Sequence, residues 1–270
     1  MGLSTVEDKD IRRAVRKAVG NLGGIKLPRH GAKVLIKPNV NTGAPPPAST
    51  NPLVVGETIK LALEAGASEV IVGDRSWVQF FIPRQKNTVQ NMKSNGIYDA
   101  ARAEGASVTG FEEGGWLRVK PEGATHWRGS LRITKFIDEV DYIISIPVLK
   151  THWITDFSLS LKNSVGVLHT LDRLRLHASH IHEKTTEINL AFKVDLNIID
   201  GSYAFIKGGP SQGEVVTPNL VIVSDSRVEA DIAGYKALIS AGANLPPEPE
   251  KHPMIARALE LGLDNFKGHS

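Results

Sequence analysis

The sequence predicts an α/β fold: a Rossmann-like, mostly parallel sheet of βαβ units with inserted loops and antiparallel strands. Three observations predict it. Runs rich in β-branched residues recur along the chain, at Lys33–Lys37, Ser68–Asp74 and Tyr142–Leu149, with the composition of buried strands. The first two runs enclose a helical pattern, so strand, helix and strand fit within about 40 residues as a right-handed crossover unit. Each run then switches abruptly to polar or charged residues, as happens at the carboxyl ends of strands where open α/β sheets place ligands.

The bulk numbers narrow the class. The chain has 270 residues, 41% hydrophobic and 23% charged, an ordinary globular composition able to bury a large core. It reads as one elaborated α/β domain over residues 1–270, and two close-packed lobes also fit. Thirty-two basic residues nearly balance twenty-nine acidic ones. That is too even to imply nucleic acid, yet it allows a local basic pocket for an anion. Cysteine is absent, which excludes disulfides, thiolate zinc sites and a cysteine-ligated iron–sulfur cluster within this chain. A divalent metal would need His, Asp, Glu or carbonyl ligands. Lack of cysteine fits a cytoplasmic location. The first residues, MGLSTVEDKDIRRAV, carry no signal-peptide apolar region. No run approaches the ~20 apolar residues of a membrane helix.

In chain order, residues 5–20 read as an amphipathic helix. Ser4 or Thr5 would cap it, Glu7 and Asp8 would occupy its first turn, and Ile11, Ala14, Val15, Ala18 and Val19 would form its apolar face. The strand Lys33–Lys37 stops at Pro38-Asn39, because proline cannot donate to a ladder. A Pro- and Gly-rich loop, residues 40–51, is long enough to suggest function. Asn51 or Thr50 then caps a helix with Pro52 at its first position. After the strand 68–74, the stretch 77–95 reads as a lid or excursion. A helix follows from Asn91 or Asn95 to Glu104, then a strand at 107–111. Residues 116–119 and 130–136 could form an antiparallel pair. Beyond the central run, Glu187–Lys193 reads as helix, Val194–Ile199 as a strand ending at Asp200, and Leu220–Ser224 as the last clear strand. Ser226 or Asp225 caps a helix to about Ser240, and a short helix lies near Pro253–Leu263. Residues 155–165 stay ambiguous: Phe157, Leu159 and Leu161 alternate, whereas Phe157, Leu161 and Val165 have helical spacing.

The chemistry concentrates between Asp141 and Val167. There the apolar run Tyr142–Leu149 turns into Lys150-Thr151-His152, and Lys162-Asn163 follow closely. Lys37, Lys150 and Lys162 would supply positive charge to one sheet edge. Asn39, Thr151 and Asn163 would orient a ligand, and the loop holding Gly209 and Ser211 could offer backbone N–H groups to an anion. His152 is the natural proton shuttle, since its reference pKa lies near ~6.5. Asp74 and Asp200, each at the end of a strand pattern, are candidate bases or hard-metal ligands. A desolvated lysine such as Lys150 could instead be a nucleophile. Four histidines fall between His169 and His182. His177 and His180 would share a helical face and are the candidate metal pair. No glycine pattern matches a dinucleotide fingerprint, a Walker A loop or a nucleophile elbow.

Several of these pieces, taken together, resemble a known family. Ile36-Lys37-Pro38-Asn39, Pro147-Val148-Leu149-Lys150-Thr151-His152, Leu161-Lys162-Asn163 and Gly166 look like the signature of DUF362 proteins. Asp200-Gly201, Gly209-Pro210, Gly213 and the start of the Ser224…Asp231 helix continue it, so the likeness covers about residues 33–242. The resemblance implies an α/β fold but little about activity, the family being defined as one of unknown function. Many members are similar to, or fused with, iron–sulfur ferredoxin modules. This chain looks like a stand-alone form, because it has no cysteine to hold such a cluster. It also carries Ile206-Lys207 where members commonly have Glu-Gly before Gly208. A histidine near position 177 is frequent in the family.

Two functions therefore compete. One is an enzyme or binding protein for an anionic small molecule, a phosphate or a carboxylate, alone or with a metal. The other is a non-catalytic partner or carrier working with a separate iron–sulfur redox protein, with Trp77, Phe80, Phe81 and Trp153 as interface anchors. Neither nucleic acid nor membrane is expected as a partner, and the oligomeric state is not encoded in any recognisable pattern.

Overall fold

The computed structural model describes residues 2–77 and 87–263. Its strands are β1 (Leu3–Glu7), β2 (Lys33–Pro38), β3 (Glu69–Asp74), β4 (Ser107–Gly110), β5 (Trp116–Val119) and β6 (Leu131–Thr134). They continue with β7 (Tyr142–Ile146), β8 (Val148–His152), β9 (Asp156–Ser158), β10 (Leu196–Gly208), β11 (Gly213–Val216) and β12 (Leu220–Ser224). The helices are α1 (Ile11–Asn21), α2 (Pro52–Glu64), α3 (Thr88–Ser94), α4 (Ile97–Ala103) and α5 (Ser160–Asn163). After them come α6 (Thr170–Ala178), α7 (Ile181–Glu187), α8 (Arg227–Ser240) and α9 (Pro253–Glu260).

The main sheet runs β1-β12-β10-β7-β2-β3-β4. The five strands from β10 to β4 are mutually parallel, while β12 and β1 close the other edge antiparallel. The α/β class and the mostly parallel sheet expected from the sequence are thus present. Period-two alternation explains how the sheet is buried on both faces. Val34 and Ile36 of β2, Val70 and Val72 of β3, and Ile144 and Ile146 of β7 face one core, with α1 and α2. The intervening Leu35, Ile71 and Ile143 face a second core, built with β6 and α6. A third core joins β8, β9, α8 and α9.

Several elements depart from the sequence reading. Residues 3–7 form a strand, not the start of a helix, because Ser4 and Val6 are buried alternately while the segment pairs with β12. The helix cap is Asp10, whose side chain accepts from the backbone N–H groups of Arg12 and Arg13. The expected apolar face of α1 is buried as read. The helix expected from Asn91 or Asn95 is two helices. Asn87 opens α3 in a capping box with Gln90, and Gly96, at φ 84°, divides it from α4. The helix expected over 187–193 lies earlier, as α7. Residues 155–165 are neither one element nor the other: β9 and α5 divide them.

Two misreadings concern strand ends. The strand expected over 142–149 stops early, at Ile146, and Lys150 does not follow a strand end. The chain bends at Pro147 and continues as β8, which pairs with the far half of β10. β10 likewise runs through Asp200 for thirteen residues. Proline breaks one ladder there, and a neighbouring strand reforms it, which single-segment patterns do not reveal. The pair β5–β6 is antiparallel as expected.

The cap at Asp10 is testable. Asp10→Ala should destabilise the protein by about 1 kcal/mol in urea titration. Thr5→Val, exposed on β1, should change it by less than ~0.5 kcal/mol. The reverse order would restore the helix start at Ser4 or Thr5.

Candidate functional site

A cleft of about 420 Å³ opens beyond the carboxyl ends of β2 and β3, flanked by β8, α5 and α6. Lys37, Asn39, Asp74, Lys150, His152, Lys162, Asn163, His177 and Ser211 all line it. A larger groove of about 1250 Å³ lies at the amino end of the sheet. Two of its carboxylates are held in ion pairs, Asp195 with Lys193 at 2.6 Å and Asp141 with Arg29 at 2.7 Å. The smaller cleft is the one at the position where parallel sheets place ligands.

Its charges are unequal. Lys37, Arg75, Lys150, Lys162 and Arg173 line it against one carboxylate, Asp74. Lys37 Nζ lies 2.7 Å from Asp74 Oδ1, with both side chains almost wholly buried. Asp74 Oδ2 also accepts from Val40 N at 2.7 Å, tying the loop after β2 to the end of β3. A methyl group on Gly166 would overlap both members of the ion pair, so glycine is required for this close approach. Burial pushes the Lys37 pKa down, and Asp74 opposes that shift.

Lys150 projects from β8 beneath the loops. Its ammonium donates to Ala48 O at 2.8 Å, Asn39 Oδ1 at 3.0 Å and Pro210 O at 3.2 Å. All three protons are used. Burial, then the neighbouring Lys162, push its pKa down to about 7, whereas the three acceptors favour the charged form. Lys162 differs. It is 9% exposed and lines the cleft, and no acceptor among the described residues takes a hydrogen bond from its ammonium. Burial and Arg173 push its pKa down to about 8. Asp231 of α8 sets the position of Lys162 by accepting from Ser160 N at 2.6 Å and Leu161 N at 3.1 Å, at the start of α5.

His152 Nδ1 accepts from Ile154 N at 3.1 Å, so its proton resides on Nε2. Burial, with Lys162 and Lys150 close by, pushes its pKa down to about 2. At neutral pH it is a neutral donor. Asn163 accepts from Lys37 Nζ and Asn39 Nδ2, each at 3.4 Å, and donates to Ser145 Oγ at 2.9 Å. It holds the floor of the cleft together.

Other expected site residues lie elsewhere. Thr151 alternates with Lys150 and His152 on β8, so it faces away and donates to Phe205 O at 3.2 Å. Asp200 lies behind Lys150, accepting from Asn51 N at 2.7 Å and Ser202 Oγ at 2.6 Å, and burial raises its pKa. Gly209, at φ 78°, packs so tightly on Thr151 O that no side chain fits, and its N–H donates to Gln212 O. It serves the hairpin turn, while Pro210 and Ser211 reach the cleft. His177 and His180 do not share a helical face. α6 ends at Ala178, Ser179 is extended, and His180 is left-handed at φ 51°. His177 stays at the cleft against Trp77, and His180 groups with His126 and Glu183. A further trio, Asp156, His182 and His252, also gathers.

The model of the family DUF362, a domain of unknown function, matches residues 34–236. The chain belongs to the DUF362 family. This DUF362 chain is 26% identical over 260 residues to a curated relative, the thylakoid-associated protein sll1697 of Synechocystis sp., covering 93% of the chain and 74% of the relative. Among solved structures it is similar to a Thermotoga maritima protein (TM-score 0.49, 15% identity, 89% of this chain). It is also similar to the lactate racemase apoprotein of Thermoanaerobacterium thermosaccharolyticum (TM-score 0.46, 16% identity, 86% of this chain). The chain spans 61% and 55% of those two proteins' lengths. No helix among the described residues is long and apolar enough to cross a membrane.

Sequence reasoning missed Arg75 and Arg173 as cleft residues of this DUF362 protein. Arg173 donates to Ser76 O, Arg75 O and Gly166 O, and Arg75 donates to Leu168 O. One signal was legible: Arg173 stands one helical turn before His177. Phe80 and Phe81 lie outside the described residues, and Trp153 is 75% exposed.

The depressed lysines set a pH dependence. Lys162 ordinarily titrates near 10.5 and titrates at about 8 in the fold, so between these values the unfolded chain binds more protons. Stability of the unliganded protein should therefore rise with pH across that window. Lys162→Met should remove part of the rise and stabilise the protein at pH near neutral by about 1 kcal/mol. Urea titrations at several pH values decide this. A slope unchanged in the variant would mean that Lys162 titrates normally.

Proposed function

We propose that this protein binds an anionic small molecule, a phosphate or carboxylate compound, in the Lys37–Lys162 cleft. The observation that carries this reading is the Lys162 ammonium, almost buried, without an acceptor among the described residues, in a cleft of five cations and one carboxylate. A buried unpaired charge is costly, and an incoming anion would relieve that cost. The volume lies within the usual range for ligand sites, about 300–1,000 Å³. Lys162 makes the principal contact in this reading, with the Nε2–H of His152 and the hydroxyl of Ser211 as neutral donors. Lys150 holds the two flanking loops. Lys37 and Asp74 form the floor. A bound anion would raise the pKa of His152 towards its ordinary value, which is the route by which it could enter acid–base chemistry.

The alternative, a carrier or partner for a separate iron–sulfur redox protein, draws on Trp153, a large exposed aromatic at the cleft mouth. A cytoplasmic location remains part of the proposal, to be checked by fractionation beside a membrane marker, since the curated relative is described as thylakoid-associated.

Thermal denaturation with phosphate, sulfate and small carboxylates tests the anion reading. A ligand at a hundred times its Kd should add about 2.7 kcal/mol of stability. Lys162→Ala should fold normally and lose that response. Lys150→Ala should be destabilised by about 1–3 kcal/mol, because it orphans the acceptors at Ala48 and Pro210. A flat response across the panel, or a full response in Lys162→Ala, would sink the reading.

A further inference from the structure

Away from the cleft, the loop before β6 and the first turn of α7 bring His126, His180 and Glu183 together. One ligand atom from each lies within 4.8 Å of the others. Glu187, a turn further along α7, decides what these atoms can do. Its Oε1 lies 2.8 Å from His126 Nδ1, and its Oε2 accepts the backbone N–H groups of His126 at 3.0 Å and Trp127 at 3.2 Å. Arg257 donates to Oε1 at 2.8 Å. The backbone N–H of Thr125 also donates to Oε1, at 3.1 Å. Fixed donors thus surround this carboxylate, which accepts from each of them. His126 therefore carries its proton on Nδ1, which leaves the lone pair on Nε2 for an ion.

We propose that His126, His180 and Glu183 bind a divalent metal ion, with zinc the closest chemical match and Glu187 orienting His126 from behind. Two imidazoles and one carboxylate are a common zinc donor set that leaves a position open. A ligating histidine whose other N–H is taken by a carboxylate is the usual outer arrangement of such sites. Among the described residues, the His180 ring makes no hydrogen bond, and its ring centroid lies 5.1 Å from that of His126. Ligand atoms of a tetrahedral zinc ion with bonds of ~2.0–2.2 Å sit about 3.3–3.6 Å apart. The exposed His180 ring and the Glu183 carboxylate need close by only about an ångström, within ordinary side-chain motion. Neighbouring cations do not compete. Lys184 turns to Arg175 O and Ser179 Oγ, and Arg257 is paired with Glu187 and Glu260.

The second trio illustrates the contrast. His252 Nδ1 accepts from Met254 N at 3.3 Å, so its proton sits on Nε2, 3.1 Å from Asp156 Oδ2. That nitrogen donates to the carboxylate and has no lone pair for an ion. Proton placement separates two clusters that side-chain proximity alone would rank alike.

Isothermal titration of EDTA-treated, full-length protein with zinc chloride tests the assignment, with thermal denaturation as a second readout. One ion per chain should bind and raise the Tm. His180→Asn, which tolerates the left-handed backbone, and Glu183→Gln should each weaken zinc binding by at least roughly tenfold. Circular dichroism would confirm that both remain folded. His182→Ala should bind like the parent. Absence of zinc binding in the parent chain overturns the proposal. So does full binding in both His180→Asn and Glu183→Gln, or loss in His182→Ala with retention in His180→Asn.

Discussion

Burying several cations in one crevice is the constraint around which this protein is arranged. A buried ammonium or guanidinium is stable only when its surroundings replace the water it loses. Each cation here except Lys162 is answered by a different part of the chain. Asp74 answers Lys37 across the ends of β2 and β3. Carbonyls from the 40–51 loop and the β10–β11 hairpin answer Lys150. Carbonyls of the segment after β3 and of residue 166 answer Arg173. These loops cannot move without exposing or orphaning a charge, so the electrostatics of the cleft and the order of its walls are one problem. Lys162 alone among the lysines of the cleft has no acceptor among the described residues, and burial and Arg173 push its pKa down.

Supporting residues act through backbone groups. Asp231 belongs to α8 yet fixes the start of α5, and so the place of Lys162 and Asn163. Gly166 lets the turn after α5 close over the Lys37–Asp74 pair. Gly209 lets the hairpin lie flat on β8, which brings Pro210 O within reach of Lys150. None of these touches the space a ligand would take, yet each sets where a lining side chain stands.

One break in the chain separates the two candidate sites. α6 carries Arg173 and His177 at the cleft. The extended Ser179 and left-handed His180 then turn the chain, and α7 carries Glu183 and Glu187 towards His126. Had the helix continued, His177 and His180 would have faced the same way. The turn gives one histidine to each site, and it places the carboxylate partners that sequence spacing around His177 did not supply.

The sequence by itself determined the parallel strands β2, β3 and β7 and the candidate cleft residues Lys37, Asn39, Asp74, Lys150, His152, Lys162 and Asn163, and it narrowed the helix caps to Asn51 or Thr50 and Ser226 or Asp225. All of these follow from local rules: apolar alternation, capping chemistry, and the tendency of strands to end in polar residues at a ligand-bearing edge. Tertiary structure decided the rest. β1 and the continuation of β10 exist because another strand lies beside them, and a pairing partner distant in sequence leaves no local period. Thr151 and Asp200 turn away because β8 is a strand and not a loop, a fact set by β10. Whether an imidazole donates or accepts, as at His126, His152 and His252, depends on which group meets its other nitrogen. That group comes from a different segment each time, or from a backbone N–H whose direction only the folded chain fixes.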